Sequence, residues 1–126
     1  MPDLLSLTAD LVNIPSISGN EKQIADYIES ELRQISRLEV SRFGDNLIAR
    51  TTLDRKHRLL LAGHTDTVPG GQGSRIEGDT LWGLGSADMK SGLAVMLELA
   101  RTIENPTMDL TWVFYVCEEV DNSRNG

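Results

Sequence analysis

Three short stretches of the chain carry side chains that bind metals or move protons. They are Gly63-His64-Thr65-Asp66, Gly85-Ser86-Ala87-Asp88-Met89-Lys90 and Cys117-Glu118-Glu119. A neutral imidazole ligates a metal through one nitrogen, while a nearby carboxylate holds the other and fixes the tautomer. His64 and Asp66 are two residues apart, so in a persisting strand they point to the same side. Asp88 stands at a Gly-rich turn into a helix. There it either caps the helix or projects into the crevice beyond the strand ends of an open α/β sheet. Glu118 and Glu119 in extended chain point to opposite sides and would take different jobs. Held close together they repel, so a cation would favour both being ionised. Imidazole with carboxylates suits zinc or another divalent transition metal rather than calcium. Each stretch alone also reads as ordinary structure: a capped strand end, an N-cap, a solvated strand end. The combination, placed at one edge of a sheet, is far more specific.

The elements that must place these groups are legible from periodicity. Pro2-Asp3 is a helix-start signal, and Leu4, Leu7, Leu11 and Ile14 recur at helical spacing until Pro15. Asn20 with Glu21 starts a second helix with the stripe Ile24, Tyr27, Ile28, Leu32 and Ile35. Leu38 to Phe43 alternates as a strand, Gly44-Asp45-Asn46 turns, and Asn46 to Thr52 returns as a hairpin partner. Leu59 to Ala62 is a continuous apolar run, the pattern of a strand buried on both faces. The Gly-rich stretch from Thr67 to Ser74 is a loop, and Arg75 to Trp82 forms a short hairpin around Gly78-Asp79. A helix starts near Asp88, with the stripe Met89, Leu93, Met96, Ala100 and Ile103, and ends at Asn105-Pro106. Leu110 to Val116 is a second buried strand, and Asp121 to Gly126 is a loop. Strand, helix, strand from Leu59 to Val116 is a crossover unit, which requires a parallel pair. The expected architecture is a mixed sheet with helices on both faces.

The chain has 126 residues, 40% hydrophobic and 25% charged, the composition of one globular domain. That excludes a disordered tail, a collagen-like repeat and a disulfide scaffold. Twelve Lys and Arg against 19 Asp and Glu give a net charge of −7. Such a chain has no general attraction to nucleic acid or to anionic lipid. The single cysteine, Cys117, fits a reducing compartment. There is no long apolar run and no basic n-region before an apolar core, so neither a transmembrane helix nor a signal peptide is expected, and the expected location is cytoplasmic. Trp82 and Cys117 read as packing residues.

Leu61-Ala62-Gly63-His64-Thr65-Asp66-Thr67-Val68-Pro69 resembles the first signature of the dinuclear-zinc amidohydrolases of the M20 metallopeptidase family. Gly83 to Gly92 resembles the second signature, and Cys117-Glu118-Glu119 the third. Within the family, Leu81 to Leu99 and Thr111 to Val120 look most like its succinyl-diaminopimelate desuccinylase branch of actinobacterial type. The resemblance implies an α/β fold, a zinc-exopeptidase-like mixed sheet flanked by helices. Residues 1–126 would form only the N-terminal part of the catalytic domain, without the dimerisation or lid domain and the C-terminal catalytic part. It implies two divalent metal ions, zinc first and cobalt as the alternative. His64 would be a terminal ligand of one metal and Asp66 would orient that imidazole. Asp88 would bridge both metals, with a cis peptide bond after it. Glu118 would be the general base and Glu119 a terminal ligand of the second metal. The implied reaction is amide hydrolysis of a small N-acyl amino acid: N-succinyl-LL-2,6-diaminopimelate and water give succinate and LL-2,6-diaminopimelate, a step of lysine and diaminopimelate biosynthesis. The full-length protein would be a homodimer.

The sequence departs from the family pattern in a defined way. The family needs a further acidic ligand after the Glu-Glu pair and a second histidine far towards the carboxyl end. Here the other histidine is His57, in the basic turn Asp54-Arg55-Lys56-His57-Arg58 at the wrong end of the sheet, and Asp121 lies too close to Glu119 to match. A site short of one terminal ligand on each metal is expected to bind weakly or not at all and to leave this chain alone inactive. The loop from Gly70 to Ser74 is short, as in the compact actinobacterial form. Other readings are another deacylase or peptidase of the family, such as an acetylornithine deacetylase or an aminoacylase, or a non-catalytic fragment without metal. A nucleotide-binding crossover fits poorly, because Asp88 replaces the third glycine of that fingerprint and would repel a pyrophosphate.

Overall fold

The computed structural model describes residues 3–71 and 73–125. Pro2 of the helix-start signal, Gln72 of the Gly-rich loop and Gly126 of the closing loop lie outside the described residues. Asp3 caps helix α1 (Leu4–Val12), its carboxylate accepting from the Leu5 N–H and the Ser6 hydroxyl, each at 3.0 Å. Leu7 and Leu11 of α1 are buried, and Pro15 prevents continuation. Helix α2 (Lys22–Arg33) buries Ile24, Ile28 and Leu32, spaced on one side, and carries the Lys22–Asp26 and Glu29–Arg33 pairs on the other. Helix α3 (Ser91–Thr102) buries Leu93, Leu97 and Ala100. It ends before Asn105-Pro106, and there the Arg37 guanidinium donates to the carbonyls of Ala100, Arg101 and Ile103 at 2.6–2.8 Å. Those are carbonyls that a helix end leaves without partners.

The strands are β1 (Glu39–Phe43), β2 (Asn46–Arg50), β3 (Arg58–His64), β4 (Arg75–Glu77), β5 (Thr80–Trp82) and β6 (Asp109–Tyr115). Four of them form one sheet in the order β1-β2-β6-β3, while β4 and β5 make a separate hairpin. The β1–β2 and β2–β6 pairs are antiparallel, and β3–β6 is parallel, with Leu61 opposite Trp112 and His64 opposite Tyr115. The crossover read from the sequence is therefore present, and the sheet is mixed. Arg42 on β1 ties the sheet to α2 through Asp26 at 2.7 Å and Glu29 at 2.9 Å.

The core lies between the sheet and the three helices. Trp112, Phe114, Leu47, Ile24, Ile28, Leu93 and Leu97 are buried there, each contributing roughly 1.5–3 kcal/mol. Three expectations fail. Helices α2 and α3 both pack on the face that carries Leu47, Trp112 and Phe114, with α1 against α3, so the described residues place helices on one face. Leu59 to Ala62 is accordingly not buried on both sides: Leu60, alternating with the core residue Leu61, is 59% exposed. Trp82 is not a packing residue either, being 54% exposed with Arg75 stacked over its ring.

Asp109, the first residue of β6, holds the connection between β2 and β3. Its buried carboxylate accepts from the Thr51 hydroxyl at 2.6 Å and from the N–H groups of Leu53 and Arg55 at 2.7 and 2.8 Å. These bonds, Thr51's first, hold the carboxyl down at about 2, with Arg58 adding its charge. A folded pKa below the ordinary carboxylate value makes stability present above about pH 4 and lost as pH falls towards 2. Asp109→Ala should lower Tm at pH 7 by roughly 10 °C, and its further loss between pH 4 and pH 2.5 should be smaller than the parent's. Thermal denaturation at the three pH values checks this.

Candidate metal centre

Parallel pairing brings the carboxyl ends of β3 and β6 to one edge of the sheet, the place where open α/β sheets hold their ligands. His64 is the last residue of β3 and is buried. The residue before it is a glycine for a packing reason. A Cβ on Gly63 would lie 2.9 Å from both Leu93 Cδ2 and Met89 Cε, so a larger residue there would have to push these side-chain ends aside. The ring of His64 meets Tyr115 edge-on at 6.2 Å between centroids.

The two nitrogens of His64 have different surroundings. Nδ1 lies 3.0 Å from the Asp66 main-chain oxygen and 3.3 Å from its Oδ1, which assigns the Nδ1–H to Asp66. Nε2 faces carboxylates: Asp88 Oδ1 at 2.9 Å, Glu118 Oε2 at 3.9 Å and Glu119 Oε1 at 4.0 Å. Burial opposes protonation of this imidazole, but Asp88 and Asp66 outweigh it and raise its pKa. Burial, then the charges of Asp88 and Glu118, pushes the Glu119 carboxyl up. One ligand atom each from His64, Asp88 and Glu119 lies within 4.8 Å of the others. A neutral imidazole whose Nδ1–H is committed to Asp66 offers Nε2 only as an acceptor, and the facing carboxylates are acceptors too. A proton on Nε2 satisfies the contact to Asp88, and a divalent cation at that point would satisfy the imidazole and all the facing carboxylates together. One imidazole with carboxylates is a donor set for zinc or its neighbours. The residues present thus fit a divalent metal.

Asp66 does more than steady the imidazole. It is buried, and its Oδ1 and Oδ2 accept the backbone N–H groups of Glu118 and Glu119 at 3.0 and 3.1 Å, while the Ser18 hydroxyl donates to Oδ2. Burial works against its ionised form, yet these hydrogen bonds prevail and lower its pKa. The Glu118–Glu119 segment is therefore not extended. Cys117 has φ +59°, a left-handed conformation costing roughly 1–2 kcal/mol for a residue with a Cβ. The turn it makes brings both carboxylates towards His64, so the expectation that they diverge to opposite sides is corrected.

Asp88 is not an N-cap. It sits inside an irregular turn, Ser86–Lys90, with extended φ −125° and ψ 93°, and the N-cap position of α3 falls on Lys90. Gly85 starts that turn at φ +80°, where a Cβ would stand 2.6 Å from the Thr67 methyl. The peptide bond after Asp88 is cis. Lys90 is buried, its ammonium donating to the Ile14 carbonyl at 2.8 Å, and burial lowers its pKa to about 8.

All five residues singled out from the sequence, His64, Asp66, Asp88, Glu118 and Glu119, come together here. His57 precedes β3, at the opposite end from His64, roughly 20 Å away along a seven-residue strand. Ser18, Glu21, Asn46 and Lys90 escaped the sequence reading. All four act on backbone or through single hydrogen bonds, which leave no spacing signature.

Residues 60–126 match the family described as Peptidase family M20/M25/M40. This chain belongs to that family. It is 55% identical, over 98% of its length, to a Mycobacterium tuberculosis protein named "Putative succinyl-diaminopimelate desuccinylase DapE". It is 48% identical, again over 98% of its length, to the succinyl-diaminopimelate desuccinylase of Corynebacterium glutamicum. It spans 36% of the length of each. Among solved structures, a tripeptidase from Staphylococcus aureus matches 92% of this chain with TM-score 0.78 and 26% identity, and 36% of its own length is covered. A dinuclear metal-binding M20 peptidase of Bacillus subtilis shares the fold at TM-score 0.67 and 14% identity, over 93% of this chain and 35% of its own. Among the described residues, no helix is long and apolar enough to cross a membrane.

Proposed function

We propose that this chain carries one wall of the metal centre of an amide hydrolase that converts N-succinyl-LL-2,6-diaminopimelate and water to succinate and LL-2,6-diaminopimelate. The observation that carries the reading is the convergence of His64, Asp88 and Glu119 at the carboxyl ends of two parallel strands. The desuccinylase names of its relatives support the choice of substrate. In this reading residues 1–126 are the N-terminal part of a larger catalytic domain, the whole protein is a cytoplasmic homodimer, and the chain alone does not turn over substrate. Relatives nearly three times as long support that division.

His64 and Asp88 would hold one ion, and Asp88 with Glu119 a second, zinc or else cobalt. Divalent metal, when bound, supplies Lewis acidity towards an amide carbonyl and towards water. Asp66 keeps the Nδ1–H of His64 in place, so Nε2 stays available as a lone pair. Glu118 is the exposed member of the Glu-Glu pair, its side chain 42% accessible against 22% for Glu119. Its carboxylate accepts the proton of the attacking water and returns it to the leaving amine nitrogen, so one group serves as base and then acid. The peptide N–H bonds to Asp66 fix its backbone while its side chain remains free to reach substrate.

A second reading is peptide hydrolysis, favoured by the likeness to the Staphylococcus aureus tripeptidase. The test is turnover of N-succinyl-LL-2,6-diaminopimelate, N-acetylornithine and a tripeptide, with zinc or cobalt added, by the whole protein and by this chain side by side. Succinate release by the whole protein with at least about a hundredfold preference over the other two, and none by the chain alone, is the expected result. Preference for the tripeptide, or equal rates from the short chain, contradicts it.

A further inference from the structure

Four consecutive backbone N–H groups follow β6 without a strand partner, and each is taken by a side chain from elsewhere. Asn46 Oδ1 accepts from Val116 at 2.9 Å, Glu21 Oε2 from Cys117 at 2.9 Å, and Asp66 from Glu118 and Glu119. Glu21 is the unexpected member. It occupies the N-cap position of α2 but makes no capping bond to its own helix. It is only 2% exposed, and its carboxylate reaches a residue 96 positions away, where it accepts both the N–H and, at 3.4 Å, the thiol of Cys117. Cys117 is the residue in the left-handed conformation that turns the chain. Helix α2 is itself held by buried Ile24 and Ile28 and by Arg42, so Glu21 stands on a fixed base.

We propose that Glu21 is a positioning residue: by holding Cys117 in its left-handed turn it sets the direction in which Glu118 and Glu119 are presented to His64. The inference rests on the metal-centre reading for its consequence but not for its geometry. Left-handed backbone is costly for cysteine and free for glycine. That difference supplies a rescue that a merely space-filling role for Glu21 would not show.

The experiment compares the parent chain with Glu21→Ala, Glu21→Gln, Cys117→Gly, and Glu21→Ala combined with Cys117→Gly. Amide hydrogen exchange is measured without metal, and zinc affinity by calorimetry. In Glu21→Ala, protection of the Glu118 and Glu119 amides should fall at least about tenfold while Leu110 to Phe114 of β6 keep theirs. Zinc affinity should fall at least about tenfold. Glu21→Gln, which keeps an acceptor oxygen, should stay within about threefold of the parent on both readouts. Adding Cys117→Gly to Glu21→Ala should return both readouts to within about threefold of Cys117→Gly alone. Unchanged protection at Glu118 and Glu119 in Glu21→Ala, or a loss that spreads through β6 and is not rescued by glycine, overturns the inference. Zinc affinity is read on the whole protein carrying the same substitutions, since this chain alone lacks a terminal ligand for each metal. Failure of the whole parent protein to bind zinc would instead remove the metal-centre reading, and the exchange measurement would still decide the role of Glu21.

Discussion

Asp88→Ala is expected to lower the zinc affinity of the whole protein by about a hundredfold or more while leaving its fold intact. Second partners of a metal ligand are commonly worth 10–100-fold in affinity, so a ligand shared by two ions is worth at least the upper end. Asp88 Oδ1 stands 2.9 Å from His64 Nε2, nearer than either glutamate oxygen. Its side chain is 74% exposed, so truncation opens no cavity, and His64 Nε2 still faces the carboxylates of Glu118 and Glu119. Stability should therefore change by no more than about 0.5 kcal/mol. Calorimetric titration with zinc, beside urea unfolding of the same variant, reads both quantities. Unchanged affinity would take Asp88 out of the centre, and a large loss of stability would make it a structural residue.

Asp66→Ala should have the opposite profile, losing fold and site together. Removal of this carboxylate leaves the Ser18 hydroxyl and the N–H groups of Glu118 and Glu119 without their acceptor, while the Asp66 main-chain oxygen still accepts from His64 Nδ1. Each buried donor left unpaired costs about 1–3 kcal/mol, so a total loss of about 3 kcal/mol or more is expected, a fall of roughly 10–15 °C in Tm. Asp66→Asn keeps one acceptor oxygen but turns an N–H₂ towards N–H donors, and should recover less than half of the loss. Because the folded-state pKa of Asp66 is lowered, its contribution is present above the ordinary carboxylate pKa and fades as pH falls below it. Urea unfolding of parent, Ala and Asn variants at pH 7 and at pH 3 tests this. The gap between parent and Ala variant should narrow at pH 3. A gap that stays constant would show that Asp66 acts through packing alone.

The sequence disclosed the elements well because periodicity reports which residues are buried. The spacing of Ile24, Ile28 and Leu32 and the apolar stretch Leu110 to Val116 both correspond to observed elements, the second to within a residue at each end. Parallel pairing followed from the crossover rule. What composition could not disclose was whether the second face of the sheet is covered. An apolar run such as Leu59 to Ala62 reads the same whether its outer side chains are covered or, like Leu60, open to solvent. The ligand cluster was legible because one of only two histidines and several carboxylates fall in order at predicted strand and helix ends. Its scaffolding was not. Glu118 and Glu119 converge because Cys117 takes a left-handed turn, and that turn depends on Glu21 from a distant helix and on a carboxylate, Asp66, assigned from the sequence to the imidazole alone. Long-range capture of backbone N–H groups leaves no local periodicity to read.

Zinc-edge X-ray absorption on the purified, zinc-loaded chain, with His64→Ala as control, addresses the metal-centre reading at the atoms concerned. One imidazole nitrogen at about 2.0–2.1 Å together with carboxylate oxygens at about 2.0–2.2 Å, the imidazole signal disappearing in the control, is the expected result. A spectrum with oxygen neighbours only, unchanged when His64 is replaced, would mean that zinc binds elsewhere on this acidic chain and that His64, Asp88 and Glu119 do not form its site.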